Sequence, residues 1–245
     1  MSKGMDILVR FWMDLFLDCR RYFGLGVFLS KVFLKKLLEY RANFAIGMGS
    51  FLLLSLTNYF FIYFLFQQVP RIKGYSFYQV VFIFGFSLIS RGIDHIFTDN
   101  LWEVSRILIL KGEFFKYLIR PINPLFAVIS ERFLHPDGIG EWITGLFFIW
   151  HASIQLQFEW TLSQGFLFLI LAPLSALVFF AVKVLFASMA FWTESSFALL
   201  DQAYNLSNCG RYPLDIYNKP FQWILTWALP YAFTAYFPAR TLLFS

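Results

Sequence analysis

Charges in this chain fall in clusters separated by long apolar runs, and the runs predict the elements. Residues 44–66 form 23 consecutive positions without a charge, enough for a tilted helix to cross a bilayer. The polar stretch Gln67 to Ser76 follows, with Pro70 and Gly74 as turn signals. A second apolar run starts at Phe77, meets Arg91, Asp94 and His95, and is drawn as a span over 77–99. Residues 100–124 are polar enough to lie outside the hydrocarbon, and Pro121 and Pro124 close them. A third span is expected within 125–156, broken near Pro136-Asp137-Gly138. A fourth covers 163–192, with a kink at Pro173 and with Lys183 snorkelling to an interface. The stretch 197–210 is weakly apolar and holds Asp201, Gln202, Asn205 and Asn208, so it crosses only if its neighbours shield it. The last run, 221–243, is a further span.

Residues 1–43 have helical rather than spanning periodicity. Arg10, Asp14, Asp18 and Arg21 share one face while Leu8, Phe11, Trp12, Leu15 and Cys19 share another, and Lys31, Lys35 and Glu39 oppose Leu29, Phe33, Leu37 and Tyr40. Such helices fit a membrane surface. A soluble hairpin would leave the aromatics bare. The acids at 6, 14 and 18 also interrupt any signal-peptide core.

Composition strengthens this picture. The chain is 59% hydrophobic, 22% aromatic and 14% charged, with mean hydropathy +0.62, whereas soluble domains are about 45–50% apolar and 25% charged. An ordinary soluble globule is excluded. The net charge of +5 reports orientation rather than affinity for nucleic acid. With residues 1–43 in the cytoplasm, 16 Lys and Arg fall inside and 4 (Arg71, Lys73, Arg211, Lys219) outside. That bias predicts a multi-pass protein of the cell membrane with both termini cytoplasmic, and an even number of crossings: six if 197–210 crosses, four if it does not. Cys19 and Cys209 then lie on opposite sides and form no disulfide framework.

Candidate chemistry is sparse. There is no phosphate-cradling G-x-x-x-x-G-K-[ST] loop, H-E-x-x-H helix, G-x-S-x-G elbow or C-x-x-C pair. The chain is therefore not expected to be catalytic by itself, or to hold a cofactor or metal. Glu131, His135 and Asp137 are the one acid/base grouping, and they define a rival reading as an intramembrane enzyme. Arg91 and Asp94, three apart on a helix, either neutralise each other or, with Asp201 and Asn205, line a translocation path.

Residues 104–124 read as an amphipathic cytoplasmic hairpin. Ile107, Leu110, Phe114, Tyr117 and Leu118 recur at helical spacing, with Lys111, Glu113, Lys116 and Arg120 at the edges. The pattern suits a lever that offers aromatic side chains to a groove on a soluble partner; a helix lying flat on lipid has the same pattern.

This hairpin resembles the coupling region of ABC-2 type transporter permeases, nearest the subgroup formerly called a domain of unknown function. The resemblance is carried by Lys111-Gly112-Glu113, Tyr117-Leu118, Arg120-Pro121 and Pro124-Leu125. It continues in Leu38-Glu39-Tyr40-Arg41, Ala190-Phe191-Trp192, the Tyr212-Pro213-Leu214 elbow and the Tyr236-x-Pro238-Ala239 ending. It implies an all-α membrane protein over residues 1–245 with six transmembrane helices, N-terminal interfacial helices and a cytoplasmic coupling helix. It also implies a permease dimer, of identical or related chains, served by two copies of a separate ATPase that holds ATP and Mg. Arg106, Lys111, Gly112, Glu113, Phe114, Tyr117, Leu118, Arg120 and Pro121 would form the ATPase contact. The aromatic surplus, 34 Phe and 8 Trp, suits a hydrophobic or cationic drug-like cargo leaving the cell. Lipid, peptide or polysaccharide export is the alternative, and a non-transporting ATPase anchor is a third reading.

Overall fold

The computed structural model describes residues 21, 22, 24–32, 35, 39 and 41–244. The surface helices expected in 1–43 fall largely outside these residues; positions 24–32 are helical. Among the described residues the secondary structure is helical apart from one bridge, Ile72 to Tyr75, closing the turn between the first two long helices. The side of the bundle that holds this turn is called the turn end below, and the opposite side, holding residues 101–123, the hairpin end.

Among the described residues, four long rods make the bundle. Helix α1 is Arg41–Gln68 and α2 is Phe77–Thr98. The short α3, Pro124–Ser130, precedes the rod α4, Pro136–Gln155, and α5 is Leu162–Ser188. The helices after α1 start where the sequence supplies a cap or a proline. The Gln79 side chain reaches back to the Ser76 N–H (2.9 Å) at α2, and Gln164 does the same to Thr161 (3.1 Å) at α5. Asn123 Oδ1 accepts from the N–H groups of Leu125 and Phe126 at α3. Pro136 opens α4, where its missing N–H is harmless. Among the described residues, three helices are long and apolar enough to cross a membrane: Ala45–Gln68, Phe77–Thr98 and Leu162–Thr193.

The third apolar segment, 125–156, holds two helices, parted just ahead of Pro136. The chain turns over 131–135, with Leu134 at φ 65°, and only from Pro136 does it run beside α2. The α2–α4 contact is a glycine seam between antiparallel helices. Gly85 and Gly92 on α2, and Gly138 and Gly145 on α4, are each seven residues apart, two turns along one face. A Cβ on Gly92 would sit 2.8 Å from the Gly138 carbonyl oxygen, and one on Gly145 2.7 Å from that of Gly85. The backbones touch, as close packing of membrane helices through small residues allows.

The fifth segment is α6, Phe197–Leu206, continued by a 3-10 turn Ser207–Arg211. It starts at the hairpin end, where Ser196 N donates to Ser105 O (3.0 Å). It rises past Tyr204, beside Asp94, to Asn208, beside Arg91.

The expected span 221–243 is not a single helix. Helix α7, Lys219–Trp223, extends through a π-helical turn Ile224–Ala228, and the chain then reverses through Leu229, Pro230 and Tyr231–Phe233. Helix α8, Tyr236–Phe244, leads back. Pro230 and Pro238 both lie in this stretch, and neither can donate an interior helix hydrogen bond. The tip rests on mid-helix hydroxyls: Ser90 Oγ donates to Thr234 O (2.6 Å) and Ser175 Oγ to Phe233 O (3.0 Å). Both ends of the hairpin are at the turn end, where Tyr236 meets Tyr75 and Asp215, and Phe244 packs on Tyr75. Residues 221–243 therefore enter the bundle and return. Arg240, counted inside with the cytoplasmic charges, lies beside Tyr236 at the turn end (3.2 Å).

Candidate functional site

Two features stand out: a charged cluster buried among apolar helices, and the hairpin below it. The cluster centres on Lys183 of α5. Its ammonium lies 2.7 Å from Asp94 Oδ2 and 3.9 Å from Asp99 Oδ1, and both the lysine and Asp94 side chains are fully buried. Lys183 does not snorkel to an interface. Thr98 donates to Asp94 Oδ1 (2.5 Å), Tyr204 donates to Asp94 Oδ2 (2.9 Å), and the Tyr204 ring lies 5.2 Å from the ammonium. A buried charge needs such a full set of partners.

Arg91 and Asp94, expected either to pair or to share a path, do not pair. Arg91 turns to Glu141 of α4 (3.5 Å) and to Asn208 (3.1 Å). Asp201 and Asn205 hydrogen-bond each other at 3.1 Å, with Asn205 exposed, whereas the partners of Arg91 and Asp94 are Asn208, Glu141, Lys183, Thr98 and Tyr204. At the hairpin-end rim, His95 Nδ1 meets Asp99 (2.7 Å), while His135 lies between Asp99 (3.7 Å) and Asp137 (3.6 Å). Glu131 is drawn away from His135 to Lys116 (3.2 Å), so the three residues of the rival enzyme reading do not form one centre. Among the described residues no group of three His, Cys, Asp or Glu could hold a metal ion.

Beside the cluster, between α2 and α5, runs a groove of about 650 Å³. Its walls include Ile93, Phe97, Leu169, Leu174, Leu177 and Phe180, and Asp94 and Thr98 lie at its floor. Pro173 lines it too; its ring nitrogen leaves the Leu169 carbonyl without the usual helix donor.

The hairpin is not one amphipathic helix over 104–124. It is a π-helical turn Val104–Leu108, a turn with Gly112 at φ 69°, and a short helix Phe115–Leu118. Gly112 can hold that backbone where a side chain would strain it. Leu101, Val104, Leu108 and Tyr117 pack with Ala127, Val128 and Ala187 in a small core of their own. Tyr117, expected on the offered face, is 1% exposed, and Phe114 packs edge-on against Phe191. Of the expected face Leu110 and Leu118 are bare, and Phe115 and Ile119 join them, each more than half exposed. Lys111, Gly112, Glu113, Arg120 and Pro121 are exposed around them, and Arg106 lies over the Phe197 ring at 4.4 Å.

Electrostatic ties fix this platform to α3. Arg132 bonds Glu103 (3.1 Å) and Asn100 donates to Val128 O (2.8 Å). Burial disfavours ionisation of the Glu131 carboxyl, but hydrogen bonds from Tyr117 and Lys116 outweigh it and hold its pKa below the usual value. Burial, with Glu131 adjacent, raises that of the Tyr117 phenol.

Lys183, Glu141, Tyr204 and Arg211 were missed as site residues by sequence reasoning. The available signals were an acid and a lysine inside otherwise apolar helices, and the spacing of Tyr204, Asn208 and Arg211. No curated protein and no solved structure gives a match. The sequence model of the ABC-2 family transporter proteins matches residues 52–244, which takes in the buried cluster, the hairpin and the re-entering segment, and the chain belongs to that family.

Proposed function

We propose that this chain is the permease subunit of an ATP-driven exporter, working with a second permease, identical or homologous, and two copies of a separate ATPase that bind ATP and Mg. The cargo is a hydrophobic, drug-like small molecule, and its surface is the apolar groove between α2 and α5. A cationic cargo has only the aromatic surplus in its favour, and a polysaccharide would find few hydrogen-bonding groups on those walls. The membrane is the cell membrane, with the hairpin end and the N-terminus on the cytoplasmic side.

The observation that carries the reading is the apolar knuckle of Leu110, Phe115, Leu118 and Ile119, exposed on a platform whose inner side is packed and ion-paired. An exposed apolar patch rimmed by charge marks a docking surface. Backbone contact from Ser105 to Ser196 and packing of the platform on Ala187 join it to α6 and α5, so force applied at the knuckle reaches the helices that border the groove. Phe115→Asp combined with Leu118→Asp is expected to reduce substrate-stimulated ATPase activity of the complex by about tenfold or more, as loss of a docking anchor does, while the permease keeps its thermal midpoint. Unchanged stimulation would remove the knuckle from the interface.

Orientation has a separate test. In a background with Cys19 and Cys209 changed to Ser, Arg71→Cys is expected to react with an impermeant maleimide on intact cells, and Lys111→Cys only after permeabilisation. The reverse pattern inverts the topology.

A further inference from the structure

Tyr204, Asn208 and Arg211 recur at spacings of four and three along α6 and the turn that extends it, so they share a face. That face meets Arg91 of α2. The Arg91 guanidinium donates to Asn208 Oδ1 and lies over the Tyr204 ring at 4.8 Å. Arg211, three residues beyond Asn208, lies within electrostatic range of the same groups: Arg91 repels it and Glu141 attracts it. It is half-buried, and it makes no hydrogen bond or ion pair with any described residue.

Two guanidiniums therefore share one carboxylate, and the sharing is incomplete. Glu141 reaches Arg91 Nε at 3.5 Å, too long for a hydrogen bond. Arg91 Nε, Glu141 Oε2 and the Tyr231 hydroxyl at the re-entrant tip are buried without a partner. Asp94 cannot supply the missing charge, because its two oxygens already accept from Lys183, Tyr204 and Thr98. A positive charge in such surroundings is costly until an anion meets it. A guanidinium fork matches a carboxylate or phosphate in geometry as well as in sign.

We propose that Arg91 and Arg211, with the Tyr231 hydroxyl, bind a single carboxylate or phosphate group carried as the head of an apolar-tailed molecule. The groove supplies the reason for a tail: it reaches Asp94, one helical turn from Arg91, and its walls are apolar. The inference rests on the transporter reading for the delivery of such a molecule, and it makes the head of the cargo anionic rather than cationic.

The test uses the full chain in phosphatidylcholine nanodiscs, without ATPase, and reads dissociation constants from tryptophan fluorescence for dodecyl phosphate, dodecyltrimethylammonium and inorganic phosphate. Dodecyl phosphate is expected to bind best. Arg211→Gln is expected to weaken it by about tenfold or more, the size of one hydrogen bond to a charged group. Arg211→Lys, which keeps the charge and loses the fork, is expected to fall between them, and covers the case in which Arg211→Gln does not fold. Arg240→Gln, at an exposed cation on the turn end, is expected to leave binding unchanged. Equal binding by Arg211→Gln or Arg211→Lys and the unaltered chain overturns the site. Equal affinity for the ammonium overturns the choice of anion, and equal affinity for inorganic phosphate overturns the tailed ligand. Because no ATPase is present, loss of this proposal leaves ATPase docking standing, and failure of docking leaves the anion site standing.

Discussion

Lys183→Met is expected to destabilise the folded chain by about 3–5 kcal/mol, the usual result of removing one partner from a buried ion pair. The magnitude follows from what remains. Asp94 would keep hydrogen bonds from Thr98 and Tyr204, but its charge would be buried with no cation within contact, since Arg91 is committed to Glu141 and Asn208. Methionine has nearly the shape of the lysine stem, so little of the loss is a cavity. The double variant Asp94→Asn with Lys183→Met removes both charges and is expected to regain most of the stability, because a neutral pair needs no compensation. Thermal midpoints of the unaltered chain, Asp94→Asn, Lys183→Met and the double variant in one lipid or detergent system complete the cycle. If Lys183→Met is as stable as the unaltered chain, or the double variant is no better than the single, the pair is not the electrostatic centre of the bundle.

Gly92→Val is expected to be strongly damaging, as is any side chain added on the α2–α4 seam. A Cβ on Gly92 would lie 2.7 Å from Trp142 N and 2.8 Å from Gly138 O, and both are backbone atoms that no rotamer change can move. Overpacking of this kind costs about 1–3 kcal/mol or more, and a branched side chain adds atoms beyond the Cβ. Gly165→Val, at a glycine with open space around it, is the matched control and is expected to be near neutral. Separation of the helices should also show as increased cross-linker reach between single cysteines on α2 and α4. A Gly92→Val protein with an unchanged midpoint would mean that the two backbones are further apart than described.

The long apolar runs were legible because a charge-free stretch of 20 or so residues has few other uses. The approximate extents of α1, α2 and α5 follow from them together with Pro70 and Gly74. The last apolar stretch was misread because hydropathy cannot distinguish one long helix from two short ones folded back. Pro230 marked the reversal, but the hydroxyls of Ser90 and Ser175 that make it tolerable lie over 50 residues away in sequence. Lys183 was misread for a related reason: a lysine near the end of a long apolar run can snorkel, and only the packing of α2 against α5 sets Asp94 beside it. In the hairpin, periodicity found the apolar positions but not which way they face. Tyr117 and Leu118 are neighbours in sequence, yet one is buried in the platform and the other is bare. Arg211 escaped attention because it was counted as an outside charge and not placed on a face with Tyr204 and Asn208.

The re-entrant tip also constrains the order in which the protein can be built. Its reversal exposes carbonyl oxygens that lipid cannot satisfy, and the groups that satisfy two of them are Ser90 of α2 and Ser175 of α5. Residues 219–244 therefore have no stable place at that depth until α2 and α5 stand side by side. The earlier helices can insert one by one as synthesis proceeds, whereas this hairpin must wait and then enter protein rather than lipid. It is the last piece to seat, and it fills the main core with Leu225, Tyr231, Ala232 and Leu242, all fully buried.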